Sequence, residues 1–198
     1  MITGSLRVCV VLAGGEGRRM GGGKALRRLG PITLGRRALD LARGYAGAAA
    51  VAVRHDGQVK DTGDAVVLFD DPAIPGPLAG LASAIAHARA RGARRVLTIA
   101  CDMPRLPPNL FERLEGALDR EPDARVAVSA SAGRLHPVCA LWPADAAAGL
   151  AAYAAAGRAS LKGFATELGH TVVEWDAEGG DPFFNANTPE ELAALQTS

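Results

Sequence analysis

Short apolar runs rich in valine and alanine recur through this chain at Leu6–Leu12, Ala49–Val53, Ala65–Phe69, Val96–Ala100, Val126–Val128, Val138–Trp142 and Thr171–Trp175. Each is bounded by glycine, proline or charge, so each reads as a strand. Helical spacing fills several of the gaps, at Arg36–Tyr45, Leu78–Arg91, Pro108–Leu118 and Ala144–Ala156. The first four strands are apolar without alternation, as expected where helices cover both faces of a sheet. The later strands lie closer together, which points to a mixed sheet. The pattern predicts a three-layer αβα Rossmann-like fold with a predominantly parallel sheet. No linker or internal repeat divides it, so residues 1–198 are expected to form one domain. A last helix is marked by Thr188-Pro189-Glu190-Glu191, a capping box with proline in the first turn.

Composition narrows the function classes. A formal net charge of +1 over 198 residues gives no global attraction to nucleic acid or to an anionic membrane. The apolar runs are too short or too alanine-rich to span a bilayer. The first residues lack a signal-peptide pattern, and three scattered cysteines, Cys9, Cys101 and Cys139, form neither a disulfide framework nor a paired metal motif. A soluble cytoplasmic protein with buried thiols is the expectation.

Chemistry concentrates at strand ends. Directly after the first strand comes Leu12-Ala13-Gly14-Gly15-Glu16-Gly17-Arg18-Arg19-Met20-Gly21-Gly22-Gly23-Lys24, in which six of thirteen residues are glycine. Such a loop lets backbone N–H groups approach an anion. It is not a Walker A loop, because Lys24 is followed by Ala25 where a metal-binding hydroxyl is required; a dinucleotide fingerprint fails at Met20. Between Gly17 and Ala38 stand Arg18, Arg19, Lys24, Arg27, Arg28, Arg36 and Arg37 with no acidic residue, a local anion trap. Strand Ala65–Phe69 runs into Asp70-Asp71-Pro72, and strand Val96–Ala100 into Cys101-Asp102-Met103-Pro104. Ligands of open α/β sheets gather at such carboxyl ends, so Asp102 is a candidate Mg²⁺ ligand that Asp70 or Asp71 can support. An Asp-Pro turn also accounts for Asp71 by itself. Pro75-Gly76-Pro77-Leu78-Ala79-Gly80 fixes a rigid entry into a helix. His136-Pro137 precedes a strand, as a cleft or a turn residue, and Asn185 and Asn187 stand two apart before the last helix.

Taken together, these pieces resemble the molybdenum cofactor guanylyltransferases over nearly the whole chain. The carriers are Leu12-Ala13-Gly14-Gly15 with Arg18-Arg19-Met20-Gly21-Gly22 and Lys24, then Gly76-Pro77-Leu78-Ala79-Gly80, Cys101-Asp102-Met103-Pro104, His136-Pro137 and Asn185-Ala186-Asn187-Thr188-Pro189-Glu190-Glu191-Leu192. The resemblance implies transfer of GMP from GTP to molybdopterin with release of pyrophosphate. It implies GTP contacts from Leu12, Ala13, Gly14, Gly15, Lys24, Asp70 (with Asp71 as the other alignment) and Asp102, catalysis by Arg19, Lys24 and Asp102, Mg²⁺ on Asp102, and molybdopterin contacts from Asn185 and Asn187. A molybdenum-insertion protein is the implied delivery partner. Two positions depart from the family pattern. Gly23 replaces an aspartate in a loop one residue shorter, and Arg54, expected at the nucleotide, follows Val53 where an asparagine is usual. The residues themselves also suit another Mg²⁺-dependent nucleotidyltransferase, acting with cytidine triphosphate or on a sugar phosphate, or a catalytically silent nucleotide-binding protein.

Overall fold

The computed structural model describes residues 6–15 and 22–195. A 7-stranded sheet forms its middle layer. Strand β1 (Val8–Leu12) lies at the centre, parallel to β4 (Ala48–Val53) on one side and to β6 (Arg95–Ala100) on the other. Beyond β4 lies β5 (Val66–Phe69), also parallel. Beyond β6 come β8 (Arg134–Pro143), antiparallel to it, then β7 (Val126–Ser131) and β9 (His170–Trp175), a parallel pair. A two-stranded ribbon, β2 (Arg28–Leu29) with β3 (Ile32–Thr33), stands apart. The mixed, mostly parallel α/β sheet expected from the sequence is present.

Two-sided burial explains the unbroken apolar strands. Successive β1 side chains point to opposite faces. Cys9 and Val11 enter the core shared with α1 (Leu34–Tyr45) and α3 (Leu110–Arg120), while Val8 and Val10 enter the one shared with α2 (Leu78–Ala90), α4 (Ala147–Ala155) and α5 (Leu161–Leu168). Helix α1 begins where the Thr33 hydroxyl accepts from the Arg36 N–H at 3.2 Å, and it buries Leu34, Ala38, Leu39, Ala42 and Tyr45 along one face. A whole face of this kind, rather than helix propensity, supplies most of a helix's stability. The last helix, α6 (Pro189–Ala194), has the capping box expected from Thr188 and Glu191.

Helix α5 and the β2–β3 ribbon lie outside the expected elements, and β7 and β8 are longer than expected. Helix α5 carries an ordinary signature that went unread: Ser160 caps it by accepting from the Gly163 N–H at 3.2 Å, and Leu161, Phe164 and Ala165 are buried at helical spacing. Strands β7 and β8 extend well past Val126–Val128 and Val138–Trp142, because they close a tight hairpin at Ala132 (φ 48°) and Gly133 (φ 71°). Two consecutive positive φ values are the turn that suits a two-residue hairpin, and alanine at the first of them hides the usual Asn-Gly signal. The β2–β3 ribbon has only two residues per strand.

The connections decide where a ligand can bind. From β1 the chain passes through α1 to β4 and then to β5 on one side, after which α2 carries it back to β6 on the other. Reversals of this kind leave a crevice at the carboxyl ends of the strands that flank them. The register aligns Leu12 with both Ala52 and Ala100, and Val53 with Phe69, so the four strands end at a common level. Among the described residues no helix is long and apolar enough to cross a membrane.

Candidate active site

A cavity of about 360 Å³ opens at that level, lined by Leu12, Gly14, Gly15, Lys24, Arg54, Asp70, Gly76, Pro77, Gly80, Ala100, Cys101, Asp102, Val138 and Asn185. A larger cavity of about 580 Å³ sits at the opposite pole, among Arg89, Arg94, Arg95 and Arg125. The candidate carboxylates Asp70 and Asp102 meet Lys24 in the smaller one.

The glycines of the first loop and of α2 make room for Asp70. A Cβ on Gly14 would fall 2.2 Å from Asp70 Oδ2, and one on Gly80 would fall 3.3 Å from Asp70 Oδ1. Asp70 is thereby clasped between the β1 loop and the first turn of α2, with its backbone N–H donating to the Val53 carbonyl at 2.7 Å. Its Oδ1 is buried and accepts no hydrogen bond from the described residues. Burial raises the Asp70 carboxyl above its ordinary pKa, and the charge of Arg54 opposes this in part. A buried carboxylate oxygen without a donor is costly in a finished fold, so this one is suited to a donor that arrives with a ligand. Asp71, the other sequence candidate, is exposed and accepts from the Ala73 N–H at 2.9 Å. It makes the turn.

Lys24 reaches the cavity through local backbone geometry. Gly23 adopts the left-handed conformation at φ 58° and starts the short 3₁₀ turn Lys24–Leu26. Ala25 is tucked into the core at 2% exposure, which directs the preceding side chain toward the cavity that it lines. The left-handed region also tolerates aspartate and asparagine, so a glycine here keeps the turn while removing a carboxylate from the lysine's neighbour. Lys24 Nζ pairs with Asp102 Oδ2 and donates to Asn187 Oδ1 at 2.8 Å. Both members of the ion pair are largely enclosed, at 14% and 13% side-chain exposure, where a charge without a partner would be expensive. Asp102 in turn accepts, through its backbone carbonyl, from the Ala186 N–H at 3.0 Å. The C-terminal segment is fastened to the end of β6 by that bond.

Most of the positions singled out from the sequence therefore converge. Leu12, Gly14, Gly15, Lys24, Arg54, Asp70, Asp102 and Asn185 all line the one cavity. Ala13 sits just beneath it at 2% exposure, with its N–H on the Ala52 carbonyl at 2.9 Å. Asn187 touches Lys24 and does not line the cavity. Arg19, with Arg18, lies outside the described residues. The anion trap is narrower than the run of positive charge suggested, because of its described members only Lys24 lines the cavity. Arg36 pairs with Asp40 one helical turn on at 2.9 Å, and Arg37 donates to the Leu29 carbonyl at 3.4 Å.

His136 has a structural place. It is 8% exposed on β8, stacks on Phe183 at 4.8 Å between ring centroids, and its Nε2 lies 2.7 Å from the Ser131 hydroxyl. Ser131 donates to Asp181 Oδ1 at 2.7 Å, which makes His136 the donor to Ser131. Burial lowers the pKa of His136 and so favours its neutral ring. This network ties the β7–β8 hairpin to the segment that leads to Asn185. Val138, two residues further on, is the cavity residue on that strand, and no sequence signal distinguished it.

Residues 9–172 match the family described as the MobA-like NTP transferase domain. The chain belongs to that family. A molybdenum cofactor guanylyltransferase of Rhodopseudomonas palustris (strain BisB5) is 39% identical over 194 residues, covering 94% of this chain and 91% of the relative. A protein of the same name from Cereibacter sphaeroides is 35% identical over 193 residues, covering 95% of this chain and 94% of the relative. Among solved structures, molybdopterin-guanine dinucleotide biosynthesis protein A from Archaeoglobus fulgidus superposes with a TM-score of 0.74 at 22% identity, covering 96% of this chain and 97% of that one. A nucleotidyl transferase from Methanothermobacter gives 0.76 at 20% identity, covering 98% and 97%. At such identities these structures establish the fold that the family member shares.

Proposed function

We propose that this chain transfers GMP from GTP to the terminal phosphate of molybdopterin, releasing pyrophosphate, in molybdenum cofactor biosynthesis. The observation that carries the reading is the meeting of Gly14, Gly15, Lys24, Arg54, Asp70 and Asp102 around one cavity at the carboxyl ends of β1, β4, β5 and β6. The names of relatives that match over nearly the whole chain support it.

In this reading the backbone of Leu12, Ala13, Gly14 and Gly15 lies along the nucleotide, and the Lys24 ammonium faces its phosphates. Asp70, flanked by Arg54, offers its free Oδ1 to donor groups of the base; guanine presents N1–H and a 2-amino group side by side, a pair that a carboxylate accepts. Asn185 lines the same cavity and faces the acceptor substrate. Asp102 suits Mg²⁺ as a single hard oxygen donor on the cavity wall. That matches an ion which uses one or two carboxylates and completes its shell with water and phosphate oxygens. When bound, Mg²⁺ would neutralise charge on the reacting phosphates.

A phosphate oxygen of molybdopterin attacks the α-phosphorus of GTP in line, and the bond to the β-phosphate oxygen breaks as pyrophosphate leaves. The nucleophile is already anionic near neutrality, so no general base is required. What the protein must supply is alignment of two mutually repelling anions and positive charge where negative charge develops. Lys24 and Arg19 have the chemistry for the second task. The active protein works where its substrates are, in the cytoplasm, with a molybdenum-insertion protein as the donor of the pterin.

Calorimetric titration with GTP, ATP, CTP and UTP, with and without Mg²⁺, tests the reading. Mg²⁺-dependent preference for GTP, followed by pyrophosphate release on addition of molybdopterin, is expected. Preference for CTP, or absence of nucleotide binding, would overturn it.

A further inference from the structure

Lys24 has two partners of different character. Asp102 is a carboxylate, whereas Asn187 is a neutral amide whose Oδ1 accepts from Lys24 Nζ at 2.8 Å. Asn187 is itself held firmly. Its backbone N–H donates to Glu191 Oε2 at 2.6 Å, its Nδ2 to the Asn185 carbonyl at 3.4 Å, and the preceding Ala186, fully buried beside Leu29, Leu34 and Leu192, is bonded to Asp102. The ammonium can only donate and the Asn185 carbonyl can only accept, so both contacts fix the same orientation of the amide.

We propose that Asn187 is a positioning residue for Lys24, rather than a contact to the second substrate. A lysine on a four-carbon stem is a mobile point charge, and holding it in place ordinarily takes an oppositely charged partner that also cancels its field. A neutral carbonyl fixes the ammonium without adding to the charge cancellation that Asp102 already provides. Asn187 keeps this hold when the Asp102 carboxylate is engaged elsewhere. Because the same short segment places Asn185 in the cavity, it joins the acceptor side of the site to the phosphate-binding lysine. The proposal rests on the nucleotide site proposed above.

The test is a double-mutant cycle read by calorimetric GTP binding in Asn187→Ala, Lys24→Met and the double variant, together with the KM for molybdopterin in wild type and Asn187→Ala. Loss of a hydrogen bond to a charged group predicts GTP binding weakened roughly tenfold in Asn187→Ala. The KM for molybdopterin should stay unchanged, and Asn187→Ala should cost nothing further in the Lys24→Met background. Equal losses in both backgrounds, which general loosening of the C-terminal segment would give, overturn the proposal. So does unaltered GTP binding with a raised KM for molybdopterin, which would make Asn187 a substrate contact. Failure of the wild type to bind GTP would instead remove the parent reading, and the wild-type titration alone reveals it.

Discussion

Gly14→Ala puts the geometry around Asp70 to a direct test. The new Cβ would lie 2.2 Å from Asp70 Oδ2 and 3.3 Å from Arg54 Cγ, so the carboxylate has to retreat from 2.2 Å to at least 3.4 Å for ordinary contact. It is the far end of a side chain and can rotate, and in the free protein it leaves a buried oxygen without a donor. The expected cost in stability is therefore below the ~1–3 kcal/mol usual for overpacking a core. The cost in binding should be larger. If Asp70 accepts a hydrogen bond from the nucleotide, its displacement forfeits about 1.5–3 kcal/mol, or roughly 10- to 100-fold in GTP affinity. Thermal unfolding and calorimetric titration of the same samples measure both quantities. Gly15→Ala is the control for folding: its Cβ meets nothing within 4 Å, so its melting temperature should match wild type. Repeating Gly14→Ala in an Asp70→Ala background should remove most of the binding penalty. A full penalty there, or wild-type GTP affinity in Gly14→Ala alone, would refute the argument that Gly14 is small for the sake of Asp70.

Asp70→Asn should stabilise the ligand-free protein while impairing GTP binding. Because burial raises the native carboxyl above its unfolded value of about 3.9, the native state holds its proton to higher pH, and wild-type stability falls as pH rises through that interval. The gain in melting temperature of Asp70→Asn should be small in acid and reach a plateau towards neutrality; a gain independent of pH would contradict the assignment. Lys24→Ala and Asp102→Ala should each lower turnover by ~10² to 10³, as removal of a group that stabilises transition-state charge typically does, and unchanged turnover in a steady-state pyrophosphate assay would reject both roles. Thr188→Ala, which removes the cap bond to the Glu191 N–H at 3.2 Å, should cost about 1 kcal/mol in denaturant unfolding, and a neutral result would mean that this bond contributes nothing to α6.

Much of this protein was legible in one dimension because its strongest signals are local. A valine-rich run such as Val8–Leu12, buried on both faces, has few options other than a central strand. Thr188, Pro189 and Glu191 start a helix through bonds spanning only three residues. Asp70 and Asp102 could be named because they directly follow apolar runs, where α/β sheets gather ligands, whereas Leu12 and Arg54 came only from the family resemblance. Charge spacing was a poorer guide. Arg36 belongs to the same positive run as Lys24, yet helix geometry carries it to Asp40, since residues four apart on a helix are neighbours.

Tertiary structure alone decided the rest. Asp70 and Asp71 are adjacent and chemically identical; a local Asp-Pro turn accounts for Asp71, but only the parallel pairing of β5 with β4, together with the gaps left by Gly14 and Gly80, sends Asp70 into the cavity. The contact between Lys24 and Asn187 joins positions 163 residues apart and has no sequence signature. It exists because the C-terminal segment bonds to the carbonyl of Asp102 and packs Ala186 against Leu29 and Leu34. Periodicity and capping report what a side chain does within a turn or two of its own backbone; which distant strand end it meets depends on the order of the strands in the sheet.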